Sequence, residues 1–491
     1  MCRFHVATLS LALLAGPAAG QVIPIRTPPI VRADGFELLP SARLGMGGVS
    51  IAFQDTLGDP WSNPATGARV RGARVFGSAI AYGVSDRAGG GTALPVGAIA
   101  GSGQWFAAGA LAIQSVEPGR VGGFTDPVLE AGGEGRERDA RPSRESMYAY
   151  ALLGRSWPER GLSVGGSVVA ARRHAVDGIG LLYGESERVE ATGAVATYRL
   201  GLLGEWSGAR SFEAVAVHSR TRMTHDVLYA DWFWDPDTQF PAWEPREERN
   251  ADEADVWGLQ VVHARPLTAG WRIGFLGTAN RVVYPGVPRY DAPSDGVTDV
   301  EGGRGEAHAY NLGVGVAGDA GLMRLGLDLV YEPILSRIRG EDAAGTTVDN
   351  RMRYSNGIVR IGAGREWRSE GGPSVVDARL GVSARLVDYR LAQFDHRQAA
   401  GRNEHARWVE WGPAWGGGIR LGDVEVRYYA SMLQGTERPL AWAPQFVDCN
   451  DVCLASVAIL PGPAPDDRVD TRAVTVVTQQ VFVSVPLGGV R

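Results

Sequence analysis

Past its first twenty residues, the sequence has no stretch approaching eighteen unbroken apolar residues, so helical membrane spans are excluded. Lysine is absent: all 49 basic residues are arginine. They form no basic stripe, and the formal net charge of −6 is small for 491 residues, so nothing points to a nucleic-acid partner. The eight histidines are scattered, without an HExxH pair or other ligand spacing, which leaves no metal site to propose. Cysteine is scarce as well. Cys2 sits at the very start, and only Cys449 and Cys453 lie further along, four residues apart. In an oxidising compartment they suit a local disulfide pinning one long loop; a metal pair is the alternative, with no His or third Cys near in sequence.

Glycine, by contrast, is plentiful. It accounts for 67 residues, while hydrophobic residues make up only 44%. Interior glycine costs a helix roughly 1 kcal/mol per residue against alanine, so a long helical protein is excluded. The N-terminus reads as an export signal over residues 1–20: Arg3, an apolar run over 6–15, then Ala18-Ala19-Gly20 before Gln21. That run is too short to span a bilayer, and no cysteine follows the cleavage site to carry a lipid. An exported chain without helical spans is periplasmic, secreted, or an outer-membrane barrel.

Alternation decides among these. From about residue 70, polarity switches with period two over long segments. Tyr198, Leu200 and Leu202 oppose Thr197, Arg199 and Gly201; Tyr310, Leu312 and Val314 oppose Asn311, Gly313 and Gly315. Leu325, Leu327 and Leu329 oppose Arg324, Gly326 and Asp328; Leu380, Val382 and Leu386 oppose Arg379, Gly381 and Arg385; Val424, Val426 and Tyr428 oppose Glu425 and Arg427. Soluble sandwiches also alternate. These runs are longer than soluble strands, and their polar faces of charge and glycine suit a hydrated lumen opposite lipid. Short connections at 157–161, 207–210, 266–270, 318–321, 369–373 and 421–423 alternate with long ones at 117–144, 229–251, 285–303, 337–348, 393–403 and 435–467. Short periplasmic turns and long outer loops are the pattern of outer-membrane barrels. The expectation is an all-β, transmembrane antiparallel β-barrel of about sixteen strands over residues 69–491, with an N-terminal extension and plug over 21–68.

The plug region carries a motif. It runs Ala42-Arg43-Leu44-Gly45-Met46-Gly47-Gly48, then Ala52, Asp55 and Asn63-Pro64-Ala65. This resembles the N-terminal signature of the FadL superfamily, which includes fatty-acid and aromatic-hydrocarbon channels and the PorV-type proteins of type IX secretion. The resemblance implies a barrel of about fourteen strands, blocked by this plug, that moves hydrophobic molecules toward a lateral opening in its wall. Gly45, Gly47 and Gly48 permit tight bends in a crowded barrel, and Asn63-Pro64 initiates a turn before the first strand. The alternative is a loop that merely closes the barrel base. The C-terminus departs from the pattern by ending on Arg491; either Phe482 supplies the expected terminal aromatic or the assembly signal is degenerate.

Two enzyme-like motifs fail on context. Gly161-Leu162-Ser163-Val164-Gly165 fits a nucleophile elbow and Gly313–Gly318 a dinucleotide fingerprint, yet each needs a helix behind it and each sits in an alternating run. Trp232, Phe233, Trp234 and Trp243 lie together in one long outer connection. They suit either an apolar docking surface for a hydrophobic substrate or rings packed on the rim. The lumen-facing charges Arg199, Arg324, Asp328, Arg360, Asp377, Arg379, Arg385, Glu425 and Arg427 either hold the plug and shape a pore field or pair across strands. The expected function is passive uptake of a hydrophobic small molecule, without cofactor or energy coupling. The expected partners are outer-membrane lipid and that molecule. The alternative is a PorV-like barrel serving secretion proteins as partner or scaffold.

Overall fold

The computed structural model describes residues 43–54, 59–85, 89–118, 144–174, 186–206, 209–235, 237, 239–284, 288–291, 300–301, 304–342, 345–368, 375–396, 399–439 and 471–487. Its alternating runs are strands of one closed sheet. The wall strands are β1 (Gly72–Val84), β2 (Gly89–Ser102), β3 (Trp105–Pro118), β4 (Arg144–Trp157), β5 (Leu162–Arg173), β6 (Ser186–Trp206), β7 (Arg210–Asp235), β8 (Phe240–Thr268) and β9 (Trp271–Tyr284). They continue with β12 (Arg304–Ala320), β13 (Met323–Asp342), β14 (Gly345–Arg368), β15 (Val375–Asp395), β16 (Ala400–Leu421), β17 (Val424–Pro439) and β18 (Thr471–Pro486). Two short strands, β10 (Pro288–Asp291) and β11 (Val300–Glu301), lie between β9 and β12 in sequence; β10 pairs with the upper part of β8.

Each wall strand pairs antiparallel with the next. β1 pairs with β18 from Arg74↔Pro486 to Val84↔Val476, so no strand edge is left in the wall. The sixteen wall strands match the segmentation and exceed by two the fourteen that the resemblance implies. None of them is a loop hairpin, since each is paired on both sides.

The outward face is what a bilayer requires. Leu111, Leu153, Leu200, Leu312 and Leu380 are 60–67% exposed on five different strands. Water would not tolerate so continuous an apolar surface, and lipid accepts it without cost. At the short-turn end the belt is bounded by Trp105, Trp206 and Trp367, all exposed. Arg155 stacks over Trp105 at 5.4 Å and Trp157 at 5.3 Å, and Arg365 over Trp367 at 5.1 Å. Aromatic rings with cationic partners mark a membrane–water boundary. The protein is thus a bacterial outer-membrane barrel, with its short turns on the periplasmic side.

Three expected outer loops are not loops. Segments 229–251, 337–348 and 393–403 are mostly strand: β7 and β8 run 26 and 29 residues, against the roughly nine to eleven that cross a bilayer. Their sequences carry no apolar alternation; Glu244, Arg246, Glu247, Glu248 and Arg249 follow one another along β8. Cross-strand backbone pairing extends these hairpins into water without help from hydrophobic patterning. Most of 117–144 and 435–467, Cys449 and Cys453 among them, lies outside the described residues, as do the expected export signal and Asp55.

Candidate functional site: the plugged interior

The described residues ahead of β1 lie inside the barrel in two pieces. The first, residues 43–54, opens with a 3-10 turn over Leu44–Met46 that ends at Gly47, left-handed at φ 66°, followed by Gly48 at φ 81°. Only glycine fits at 47, for a second reason also: an added Cβ would sit 2.8 Å from the Val382 backbone nitrogen. Met46, Val49 and Ile51 then point at the wall and are almost completely buried. The wall meets them with glycines. Cβ atoms added at Gly362 and Gly381 would strike Met46, at Gly326 Val49, and at Gly274, Gly313 and Gly315 Ile51, every one within 2.8 Å. Inward glycines on five successive strands from β9 to β15 therefore form a seat for the plug. The expectation of a hydrated lumen there is corrected: at this level glycine makes room for plug side chains rather than for water.

A carboxylate fixes the register of that contact. Asp328, fully buried on β13, accepts the Ser50 backbone N–H at 2.7 Å and the Ile51 N–H at 3.2 Å. The charge-assisted bonds satisfy plug amides that have no strand to pair with.

The second piece is a short helix, α1 (Asp59–Ser62), and a 3-10 helix over Pro64–Arg69. Asn63 caps the latter by accepting the Ala65 N–H at 3.1 Å, with Pro64 at the first helical position, where its missing N–H costs nothing. The Asn63 amide also donates to Glu213 on β7 at 3.1 Å and to the Leu202 carbonyl on β6 at 3.4 Å. Gly165 and Gly201 are the seats here, since a Cβ on either would overlap Asn63, Pro64 or Ala65. Trp61 docks edge-on against Tyr150 at 4.7 Å and Phe76 at 5.3 Å, in a cluster with Phe106 and Phe482. Phe482 is 2% exposed and faces the plug, so it is no lipid-facing terminal aromatic.

Arg69 locks the two pieces to the wall. It bonds Asp59 at 3.2 Å, Glu205 on β6 at 3.1 Å and Glu213 on β7 at 3.1 Å, while Asp59 also pairs with Arg43 of the first piece. Burial alone would lower the Arg69 pKa; the carboxylates of Glu213, Glu205 and Asp59 outweigh it and hold the value above the ordinary one.

The expected lumen charges divide between both roles. Asp328 and Arg199 hold the plug, Arg199 donating to the Trp61 carbonyl at 2.6 Å. Arg324 stacks over Phe53 at 5.6 Å. Asp377–Arg379, Arg385–Glu332 and Glu425–Arg427 are ion pairs within the wall, and Arg360 is buried opposite Asp328. Sequence reasoning missed Arg69, Glu205, Glu213 and the glycine seats. Their signal was the coincidence of glycines at one height on successive strands, invisible until register is known. The two enzyme-like motifs lie on strands: Ser163 is buried on β5, bonded to the Ser156 hydroxyl at 3.0 Å, and the 313–318 segment is part of β12.

Above the plug the inner wall turns apolar. Ile334, Met352, Tyr354, Val387, Tyr389 and Leu391 form one buried cluster across β13–β15, with Trp408 of β16 against it. Beneath it, Glu332 holds Asn356 at 2.9 Å and Arg385 at 2.5 Å. At plug height the hydrogen-bond ladder of the wall is interrupted, although the two backbones stay in contact, Gly412 lying against Met432. The β16–β17 ladder skips Gly412 and Pro413 between Ala414↔Ser431 and Trp411↔Gln434. Proline has no N–H to give, and Gly412 shares a ring of paired residues with Ser383, Arg360, Asp328, Gly315 and Gly274. Trp232, Phe233, Trp234 and Trp243 lie far from this level. The register puts Trp232 opposite Trp243 near the tip of the β7–β8 hairpin.

A closed wall, a lipid-facing belt and an occupied interior define a plugged outer-membrane β-barrel. Its fold is of FadL type. A FadL homologue of Pseudomonas aeruginosa is similar at a TM-score of 0.50 and 12% identity, over 91% of this chain and 98% of that one. The Pseudomonas putida toluene transporter TodX is similar at a TM-score of 0.40 and 11% identity, over 93% and 100%. The Ralstonia pickettii toluene transporter TbuX follows at 0.37 and 10%, over 91% and 97%. No family model and no curated protein sequence matches the chain. At such identities the likeness is one of fold.

Proposed function

We propose that the protein is a passive outer-membrane channel for hydrophobic small molecules of the fatty-acid or hydrocarbon class. The observation that carries this reading is the interior above the plug, where Ile334, Met352, Tyr354, Val387, Tyr389 and Leu391 pack together at 1–6% exposure, with the polar Glu332, Asn356 and Arg385 group between them and the plug. A pore for hydrated solutes lines its lumen with polar groups; an interior packed with apolar side chains favours a solute that gains by leaving water. Such a molecule docks at the Trp232, Phe233, Trp234 and Trp243 hairpin, threads between the apolar side chains of this cluster, passes the Glu332, Asn356 and Arg385 level and meets the plug, whose motif is Gly45, Gly47, Gly48, Asn63, Pro64 and Ala65. An exit through the wall would use the unpaired Gly412–Pro413 step of the β16–β17 ladder, and would require Gly412 to part from the Met432 backbone that it now touches.

The test is native mass spectrometry of the barrel extracted in detergent. Co-purifying fatty acid or hydrocarbon, lost on Trp234→Ala or on deletion of residues 41–65, is the expected result. An empty barrel that arrives with stoichiometric protein partners would replace this reading with a PorV-like scaffold.

A further inference from the structure

The outer surface above the lipid belt carries a charge pattern that the barrel itself does not explain. On β12–β15 the register sets three arginine pairs directly opposite each other on the outward face: Arg304↔Arg339, Arg337↔Arg351 and Arg353↔Arg390. Like charges directly opposite across a sheet are destabilising. Three such pairs on one face constitute a standing cost to the fold.

Local carboxylates offset only part of it. Asp349 takes both Arg337 at 2.6 Å and Arg351 at 3.3 Å. Glu306 is engaged by Arg281 at 2.5 Å, and Asp388 by Arg407 at 2.6 Å as well as Arg390 at 3.3 Å. Among the described residues Arg339 and Arg353 have no carboxylate within ion-pair distance. His308 and His405 face the same patch, on Glu306 and Asp388. The arginines remain open to solvent, with side chains 43% exposed at Arg337, 58% at Arg390 and 65% at Arg351. They border a concavity of about 1610 Å³.

Its height identifies the occupant. The same outward faces carry Tyr331, Leu335 and Leu386, each about half exposed, a few residues nearer the periplasm. The patch therefore begins where the apolar belt ends, on the extracellular side, at the level of lipid headgroups rather than of free solution. Guanidinium groups bind phosphate oxygens in bidentate fashion, and an anion seated between facing arginines turns their repulsion into attraction. We propose that this face binds the phosphate groups of a phosphorylated glycolipid of the outer leaflet, with an acyl chain lying along Leu335 below. The site is on the outside of the wall and does not depend on what passes through the lumen.

The test uses the whole purified barrel in a neutral maltoside detergent, with diphosphorylated lipid A as the probe and its dephosphorylated form as the control. Native mass spectrometry reads the bound lipid, and heat-modified gel mobility reads the folded wall. Wild type should retain the diphosphorylated lipid and not the control. Replacing Arg351, Arg353 and Arg390 by Gln should weaken retention about fivefold per arginine and about a hundredfold together, from the usual contribution of a cation near anionic lipid. Replacement by Lys, which keeps the charge, should preserve most of it. Without lipid, the Gln variant should melt no lower than wild type, because repulsion has been removed. Equal binding of both lipid forms by wild type, undiminished binding by a folded Gln variant, or a lipid-free Gln variant that melts well below wild type would each overturn the proposal.

Discussion

Gly381→Ala tests how the plug is held. A Cβ at this position would lie 2.2 Å from the Gly47 nitrogen and 2.2 Å from the Met46 carbonyl carbon. Ordinary contact needs more than 3.4 Å, so one partner has to move by over 1 Å. The wall cannot give way, since Gly381 is paired on both sides, with Gly362 and Ala414. The plug cannot shift sideways either, because Gly47 already rests on the Val382 backbone. Overpacking of this kind costs roughly 1–3 kcal/mol, a rise of about 5- to 150-fold in the population with the plug displaced. Single-channel recording in planar bilayers reads that population as open time. Gly277→Ala is the control, on β9 in the same wall, where an added Cβ meets nothing within 4 Å. The expected outcome is frequent openings for Gly381→Ala, none beyond background for Gly277→Ala, and unchanged heat-modified mobility for both. Equal behaviour of the two variants, with both walls folded, would refute the glycine-seat reasoning.

Other expectations follow from the same contacts. Asp328→Asn keeps one acceptor for the Ser50 and Ile51 amides but loses the charge, about 1 kcal/mol or more; recordings should show more openings than wild type and fewer than Gly381→Ala. Arg69→Met removes the cation shared by Asp59 and Glu213, leaving Asp59 to Arg43 and Glu213 to the Asn63 amide, a loss of roughly 1–3 kcal/mol, so limited proteolysis should cut the 59–70 segment while the wall resists. Leu312→Arg places a charge on the lipid face at a residue 62% exposed, for about 2–4 kcal/mol, and should lower the urea midpoint of folding into vesicles without altering conductance.

Much of this was legible from residues alone. Period-two alternation places Leu312 and Leu380 outward and Asp328 and Gly381 inward whatever the partner strands, because side chains on a strand must alternate. The strict succession of short and long connections carried the barrel topology, and the tight turns at Gly161, Gly270, Gly321 and Gly422 all have the left-handed glycine they need. The order of Gly47, Gly48, Asn63 and Pro64 marked the plug, whose local bends and cap are encoded within a few residues.

Tertiary structure alone decided the rest. Whether an inward glycine faces water or the plug depends on which residues share its ring, and that is a matter of register across strands far apart in sequence. Asp328 meets Ser50 over 278 positions, and Arg69 meets Glu213 over 144. The length of β7 and β8 beyond the membrane was equally hidden, since backbone pairing in water asks for no apolar pattern. The facing arginines of β12–β15 appear only when those strands lie side by side. Local pattern sets which way each side chain points; the closed sheet determines what it points at.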